Sequence, residues 1–250
     1  MQVSTDVLSV LSQATFDGNA MRIEIQLDRT LYTRTNKVVE AAGGVWNRKA
    51  KAHLFESEAE NVIDLVLLTG KVDKKADPKQ IFQFFPTPPE LAKRMLKAAG
   101  VGPGMHVGEP QAGNGRIARE AVGLGAEVTC VEIQPEHAQS LIDEGIYREV
   151  ICDDFLSVTP EQKFDAIVAN PPFAHQADIK HTLHAMKFLK PGAPLVTVMS
   201  AGVTFRQTKL ATALRELVER TGGTIEELPQ GSFRESGTDA FTVLVTLYNR

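Results

Sequence analysis

The chain has 250 residues, 43% of them hydrophobic and 23% charged, and a mean hydropathy of −0.12, which suits one full α/β domain plus a small appendage and excludes wholesale disorder. Its net charge of −4 argues against a uniformly basic nucleic-acid coat. No apolar run approaches the ~20 residues of a bilayer span, and the opening MQVSTDVLSV lacks the basic start of a secretory signal. Two cysteines, Cys130 and Cys152, form no disulfide framework or CxxC metal pattern, so a reducing, cytoplasmic setting is expected.

In chain order, Asp17-Gly18-Asn19 marks a hairpin turn ahead of a strand over Met21–Leu27. Leu31 to Ala42 reads as a helix stopped by Gly43-Gly44. The stretch GGVWNRKAKAHLF reads as a hairpin or loop, with a short strand at His53–Phe55, and Ala59–Leu68 as a second helix. Residues 1–75 are therefore expected to form a small α+β module, too small to hold a large core alone. From Arg29 to His53 six basic residues face one acid, Glu40, and Tyr32, Trp46 and Phe55 interleave them. Such a strip suits a phosphate backbone with accessible bases, and Arg34, Trp46, Arg48, Lys49 and Lys51 are the candidate contacts. The polar segment 71–80 reads as a linker.

Beyond it, over 81–250, short apolar strands alternate with helices. Strands are expected at Met105–Glu109, Glu127–Val131, Glu149–Cys152, Phe164–Ala169 and Leu195–Ser200. Helices are expected at Pro89–Ala99, Arg116–Leu124, Pro135–Asp143, Ala177–Leu189 and Gln207–Thr221. This rhythm predicts a parallel sheet covered on both faces. Two closing runs, Thr224–Leu228 and Ala240–Tyr248, lack a helix between them and predict an antiparallel hairpin at the sheet edge.

Between the first strand and its helix stands Glu109-Pro110-Gln111-Ala112-Gly113-Asn114-Gly115, where glycines let backbone approach a ligand at a helix N-terminus. Glu132 follows 17 residues after Gly115, near the ~20-residue spacing of an acid that holds a ribose. Glu109 beside the turn repels a pyrophosphate but suits an ammonium, which favours S-adenosylmethionine (AdoMet) over a dinucleotide. Asp153 offers a carboxylate for an adenine amino group, or a helix cap, and Phe155 a covering ring. After the fourth strand comes Asn170-Pro171-Pro172-Phe173. Its prolines make a rigid turn at the carboxyl end of a strand. There the Asn170 side-chain oxygen and the Pro171 carbonyl can accept both protons of one planar amine, while Phe173 offers a stacking face.

Phe85-Pro86-Thr87-Pro88, the EPQAGNG turn, Glu132, Asp153 and NPPF, in this order, resemble the AdoMet-dependent amino-methyltransferases. The similarity is greatest to N6-adenine DNA methyltransferases of the NPP[FY] type in small phage- or plasmid-like forms, and it covers about residues 81–250. It implies a Rossmann-like class I fold with a seven-stranded, mostly parallel sheet. It places Phe85, Thr87 and Pro88 at the methionine end of the cofactor, and Glu109, Gly113 and Gly115 around its amino-acid part. Glu132 is then at the ribose, Asp153 and Phe155 at the adenine, and Asn170, Pro171 and Phe173 at the target, with Asn170 also touching the cofactor. DNA enzymes of this motif order usually carry a large target-recognition domain after the catalytic one. Here the chain ends with the sheet, so sequence readout is either weak or assigned to residues 1–80. Arg234, in the loop between the closing strands, is a further candidate phosphate contact.

The implied reaction is methyl transfer to adenine N6 in DNA, a duplex target being flipped from its stack. No membrane partner is expected. Alternatives are an RNA base methyltransferase acting on guanine N2 or adenine N6, a protein glutamine-N5 methyltransferase, which the basic aromatic strip disfavours, and a non-catalytic DNA-binding protein that retains the fold. His175, His181 and His184 cluster near Asp178 after NPPF. Without cysteines or a second carboxylate no metal is expected there, and the role of His175 is open.

Overall fold

A computed structural model describes residues 1–72, 85–236 and 240–250; the greater part of the expected linker lies outside the described residues. In the first part, α1 (Thr5–Leu11), α2 (Arg29–Ala41) and α3 (Ala59–Thr69) pack on a small antiparallel sheet of order β1-β2-β4-β3. Its strands are β1 (Thr15–Asp17), β2 (Ala20–Arg22), β3 (Val45–Asn47) and β4 (Ala52–Leu54). Asp28 caps α2 by accepting the N–H groups of Thr30 and Leu31.

The strand expected over Met21–Leu27 stops at Arg22, which pairs with Thr15, the first residue of β1. The Trp46 stretch is a hairpin: Asn47 accepts the N–H groups of Lys49 and Ala50 and so turns β3 into β4. Among the described residues two α-helices escaped the sequence reading, α1 and a single-turn helix α8 (Gly202–Phe205), both too short for a clear period.

The second part is a seven-stranded sheet of order β10-β11-β9-β8-β5-β6-β7. Its strands are β5 (His106–Glu109), β6 (Glu127–Glu132), β7 (Glu149–Cys152), β8 (Ala166–Ala169), β9 (Pro194–Ser200), β10 (Thr224–Glu227) and β11 (Thr242–Tyr248). All pairings are parallel except those of β11, which runs against both β9 and β10. The expected closing hairpin is therefore present.

Side chains alternate strictly across the sheet. Ala166, Val168, Val196 and Val198 join a core with α4 (Pro89–Ala98) and α5 (Arg116–Gly123). Ile167, Ala169, Leu195 and Met199 join a second core with α7 (Ala177–Ala185) and α9 (Lys209–Thr221). Helix α6 is Pro135–Glu144. The single helix expected over Ala177–Leu189 tightens into a 3₁₀ turn at Met186–Phe188, which brings Phe188 into the second core.

The N-terminal module is docked onto this domain. Leu68 of α3 belongs to the first core, its carbonyl accepts the Phe241 N–H at 2.9 Å, and Phe205 packs against the module's own core. Gly70 is required at the seam: with φ +62, a Cβ there would lie 2.7 Å from the Phe241 ring.

Candidate functional site

The carboxyl ends of β5, β6, β7 and β8 surround a cavity of about 710 Å³, within the size range of small-molecule sites. It lies where an open parallel sheet binds its ligands, at the point where strand order reverses between β5 and β8. Of the residues singled out from sequence, Phe85, Thr87, Glu109, Glu132, Asp153, Phe155, Asn170, Pro171 and Phe173 line it.

At the β5 end, Glu109 is 3% exposed, and its Oε2 has no hydrogen-bond partner in a buried position. Burial, with the nearby Glu132 adding to it, raises this carboxyl well above its usual range against the pull of the Ala118 N–H and Arg119. A buried acceptor of this kind is completed by a cationic donor. At the β6 end, Glu132 accepts the Gly113 N–H on one oxygen at 2.7 Å and the Gln134 N–H on the other at 2.8 Å. The glycine turn and the acid are thus locked together, with a lone pair left on each carboxylate oxygen for vicinal hydroxyls.

Gly113 and Gly115 do not line the cavity, whereas their neighbours Ala112 and Asn114 do; Pro88 does not line it either and instead stands at the N-cap of α4. Gly115 has φ +75, and a Cβ there would sit 2.6 Å from Leu141 Cδ2 and 2.8 Å from Tyr147 Oη. Its first role is therefore close packing of the α5 N-terminus on α6, not direct ligand contact.

At the β7 end the two readings of Asp153 separate. Asp154 makes the cap, accepting the Leu156 N–H at 2.9 Å, while Asp153 accepts only its neighbour's N–H, on Oδ1. Asp153 Oδ2 is therefore not engaged by the cap. Ile133, 62% exposed, and Leu156, 40% exposed, line the same cavity. Apolar side chains held open to solvent beside Phe155 suit the faces of a purine. Both were missed because an isolated aliphatic residue after a strand carries no sequence signal.

Asn170 is held through both of its amide protons. Its amide nitrogen donates to the Phe85 carbonyl at 3.0 Å and to Thr87 Oγ1 at 3.1 Å. Both amide protons are taken by acceptors of the Phe85–Pro88 segment, which fixes the flip of the amide and leaves Oδ1 as its remaining polar atom. Phe173 is less open than expected: it is 7% exposed and packs within the first core while still lining the cavity.

The three histidines diverge. His181 bonds Gln111 at 2.9 Å and stacks on Phe155 at 6.1 Å and 19°. Burial lowers its pKa, which favours the neutral ring. His184 contacts the Val158 carbonyl, and His175 turns to Glu60 in the N-terminal module. Arg116, Gln111 and His181 also line the cavity. Sequence reading gave none of the three a role in the cofactor or target sites, because they meet only through the fold.

Of the candidate nucleic-acid contacts, Trp46 is 48% exposed on the β3–β4 hairpin and sits edge-on to His53 at 5.1 Å. Arg48, Lys49 and Lys51 lie at the same hairpin tip. The Arg34 guanidinium is taken by Asp6 at 2.7 Å and by the Ser4 hydroxyl. Phe55, expected to offer a stacking ring, is buried in the module's core instead. Arg234 lies on an exposed 3₁₀ turn, between β10 and β11. No described helix is long and apolar enough to cross a membrane.

The model of the methyltransferase small domain matches residues 112–224. A Type II methyltransferase of Thermus thermophilus is 35% identical over 108 residues, 42% of this chain and 24% of that protein. An rRNA methyltransferase of Streptomyces thermotolerans is 32% identical over 138 residues, 54% of this chain and 40% of its own length. The chain thus spans well under half the length of these two curated relatives. A solved structure described as a class I AdoMet-dependent methyltransferase of Listeria monocytogenes superposes with a TM-score of 0.54 at 13% identity, covering 98% of this chain and 79% of that one. The cavity residues fit AdoMet, with a buried orphan carboxylate for its ammonium, a backbone-locked acid for its ribose and open aliphatic side chains for its adenine. The protein is built on the class I AdoMet-dependent methyltransferase fold, and AdoMet is the cofactor of that fold.

Proposed function

We propose that this protein methylates an exocyclic amino nitrogen of a nucleic-acid base, with adenine N6 in DNA as the acceptor. One observation carries the reading: the Asn170 amide is held in a single flip by Phe85 and Thr87, at the end of β8. Its Oδ1 and the carbonyl of the next residue, Pro171, would together accept both protons of a planar amine. That draws the nitrogen towards tetrahedral geometry and frees its lone pair. AdoMet supplies, when bound, a methyl group already activated on a sulfonium, so the chain's own work is largely orientation.

Glu109 would hold the ammonium of the cofactor, and Arg116, which lines the cavity and donates to the Thr87 carbonyl at 3.4 Å, its carboxylate. Glu132 would hold the ribose hydroxyls, and Asp153, Ile133, Phe155 and Leu156 the adenine. Phe85 and Thr87 line the cavity and accept the two amide protons of Asn170, so they would tie cofactor position to target position. The hairpin carrying Trp46, Arg48, Lys49 and Lys51 would contact phosphates and a base face. A base within a duplex would have to leave its stack to reach the site.

The Streptomyces rRNA methyltransferase relative keeps an RNA acceptor as the second reading. Transfer of labelled methyl groups to DNA and to RNA, with nuclease controls and identification of the modified base, separates the two. Asn170→Ala is expected to lose at least about a hundredfold in turnover while AdoMet still binds by calorimetry. Equal turnover in the variant would end the assignment.

A further inference from the structure

Immediately after NPPF the backbone does something costly. His175 and Gln176 adopt φ +52 and +56, consecutive left-handed residues with side chains, ahead of α7. Each such residue is disfavoured roughly five- to thirtyfold relative to ordinary backbone, so the surroundings must impose the geometry.

The surroundings come from three places. From the N-terminal module, 111 residues away, Asp64 of α3 reaches in and accepts the His175 N–H on Oδ2 at 2.9 Å. Its Oδ1 accepts from Arg206 Nη2 at 2.9 Å, and the two side chains are 6% and 8% exposed. Glu60, one turn earlier on α3, lies 3.2 Å from His175 Nδ1. From the other side Thr208, the N-cap of α9, donates to the Gln176 side-chain oxygen. Asp178, buried at the start of α7, accepts the Ser200 N–H at 3.0 Å and anchors the segment to β9.

Glu60, Asp64 and His175 also bring their ligand atoms within 4.8 Å of one another. Asp64 is already committed to a buried guanidinium and a backbone N–H, so this cluster reads as a latch and not as a cation site.

We infer that Asp64 is a positioning residue of the target loop. A buried carboxylate from the N-terminal module, neutralised by Arg206, holds the strained His175-Gln176 turn and through it the orientation of Pro171-Pro172-Phe173. This rests on the reading of NPPF as the target site. It gives the N-terminal module a role inside the reaction beyond contact with nucleic acid: the loop is complete only while α3 is docked.

Hydrogen–deuterium exchange tests it without requiring activity. In Asp64→Asn, amides of 173–178 are expected to exchange about tenfold faster or more, while those of 109–116 stay within about twofold of the native chain. Asp64→Glu, which keeps a charge for Arg206 but displaces the acceptor, gives the same loop-specific signature. Turnover falls in parallel, and the AdoMet dissociation constant changes little. Placing His175→Gly and Gln176→Gly in the Asp64→Asn chain removes the left-handed cost and recovers roughly fivefold or more of the lost turnover. Unchanged exchange at 173–178, or no recovery with the glycines, overturns the inference. The exchange pattern in the variants, together with a native chain that methylates nothing, instead refutes the proposed function and leaves the latch standing.

Discussion

Thr87→Val tests how the reactive amide is oriented. Thr87 is 5% exposed, and its hydroxyl accepts one of the two protons of the Asn170 amide at 3.1 Å, while the Phe85 carbonyl accepts the other at 3.0 Å. Valine has nearly the same shape and no acceptor, so the perturbation is the loss of one hydrogen bond with one buried N–H left unpaired. That costs about 1 to 2 kcal/mol. Because the Phe85 carbonyl still favours the native flip, the amide is destabilised but not freed. If the full cost falls on the orientation needed for reaction, turnover drops roughly 5- to 30-fold. The assay is steady-state methyl transfer with both substrates varied, alongside calorimetric titration of AdoMet. The expected pattern is a lower kcat with AdoMet affinity within about twofold. An unchanged kcat with a raised KM for AdoMet would refute the reasoning and make Thr87 a cofactor contact only.

Gly115→Ala should destabilise the fold by about 2 to 5 kcal/mol, from left-handed backbone and overlap with Leu141 and Tyr147. A thermal melt should fall by roughly 5 to 15 °C, and an unchanged melting temperature would contradict the packing role. Asp178 has its pKa raised to about 7 by burial, against the Ser200 and Ile179 N–H groups and Arg206 and with Asp64 adding to the rise. Below pH about 7 the neutral carboxyl is thus the favoured form in the fold, and its contribution, full below pH ~4, is lost as pH rises through 7. Between pH 5 and 8 the native chain should lose about 2 to 3 kcal/mol relative to Asp178→Asn. Denaturant titrations showing a pH-independent difference would refute this. Charge reversal of Arg48, Lys49 and Lys51 should reduce the slope of log K against log salt by about one unit for each phosphate that is no longer neutralised. An unaltered slope would remove the hairpin from nucleic-acid binding.

Much of this architecture was legible without coordinates because its signals are local. A helix or strand declares itself through the pattern of its apolar residues, and the near-continuous apolar runs over Ile167 to Ala169 and Leu195 to Met199 reflect burial on both sheet faces. Asn170-Pro171-Pro172 is rigid by covalent structure, and the glycines at 113 and 115 mark backbone that other residues disfavour. These constraints act within a few residues, and they place an acid, a turn and an amide at successive strand ends.

Only the tertiary structure decided what each of these groups faces. It turned Gly115 towards Leu141 and Tyr147, gave the cap to Asp154 over Asp153, and buried Phe55 while leaving Trp46 exposed. The flip of the Asn170 amide depends on acceptors 83 and 85 positions earlier in the chain, and the left-handed turn at His175 on a carboxylate 111 positions earlier. No periodicity spans such separations: local sterics fix the backbone, whereas the partner of a buried polar group is fixed by which surfaces pack together.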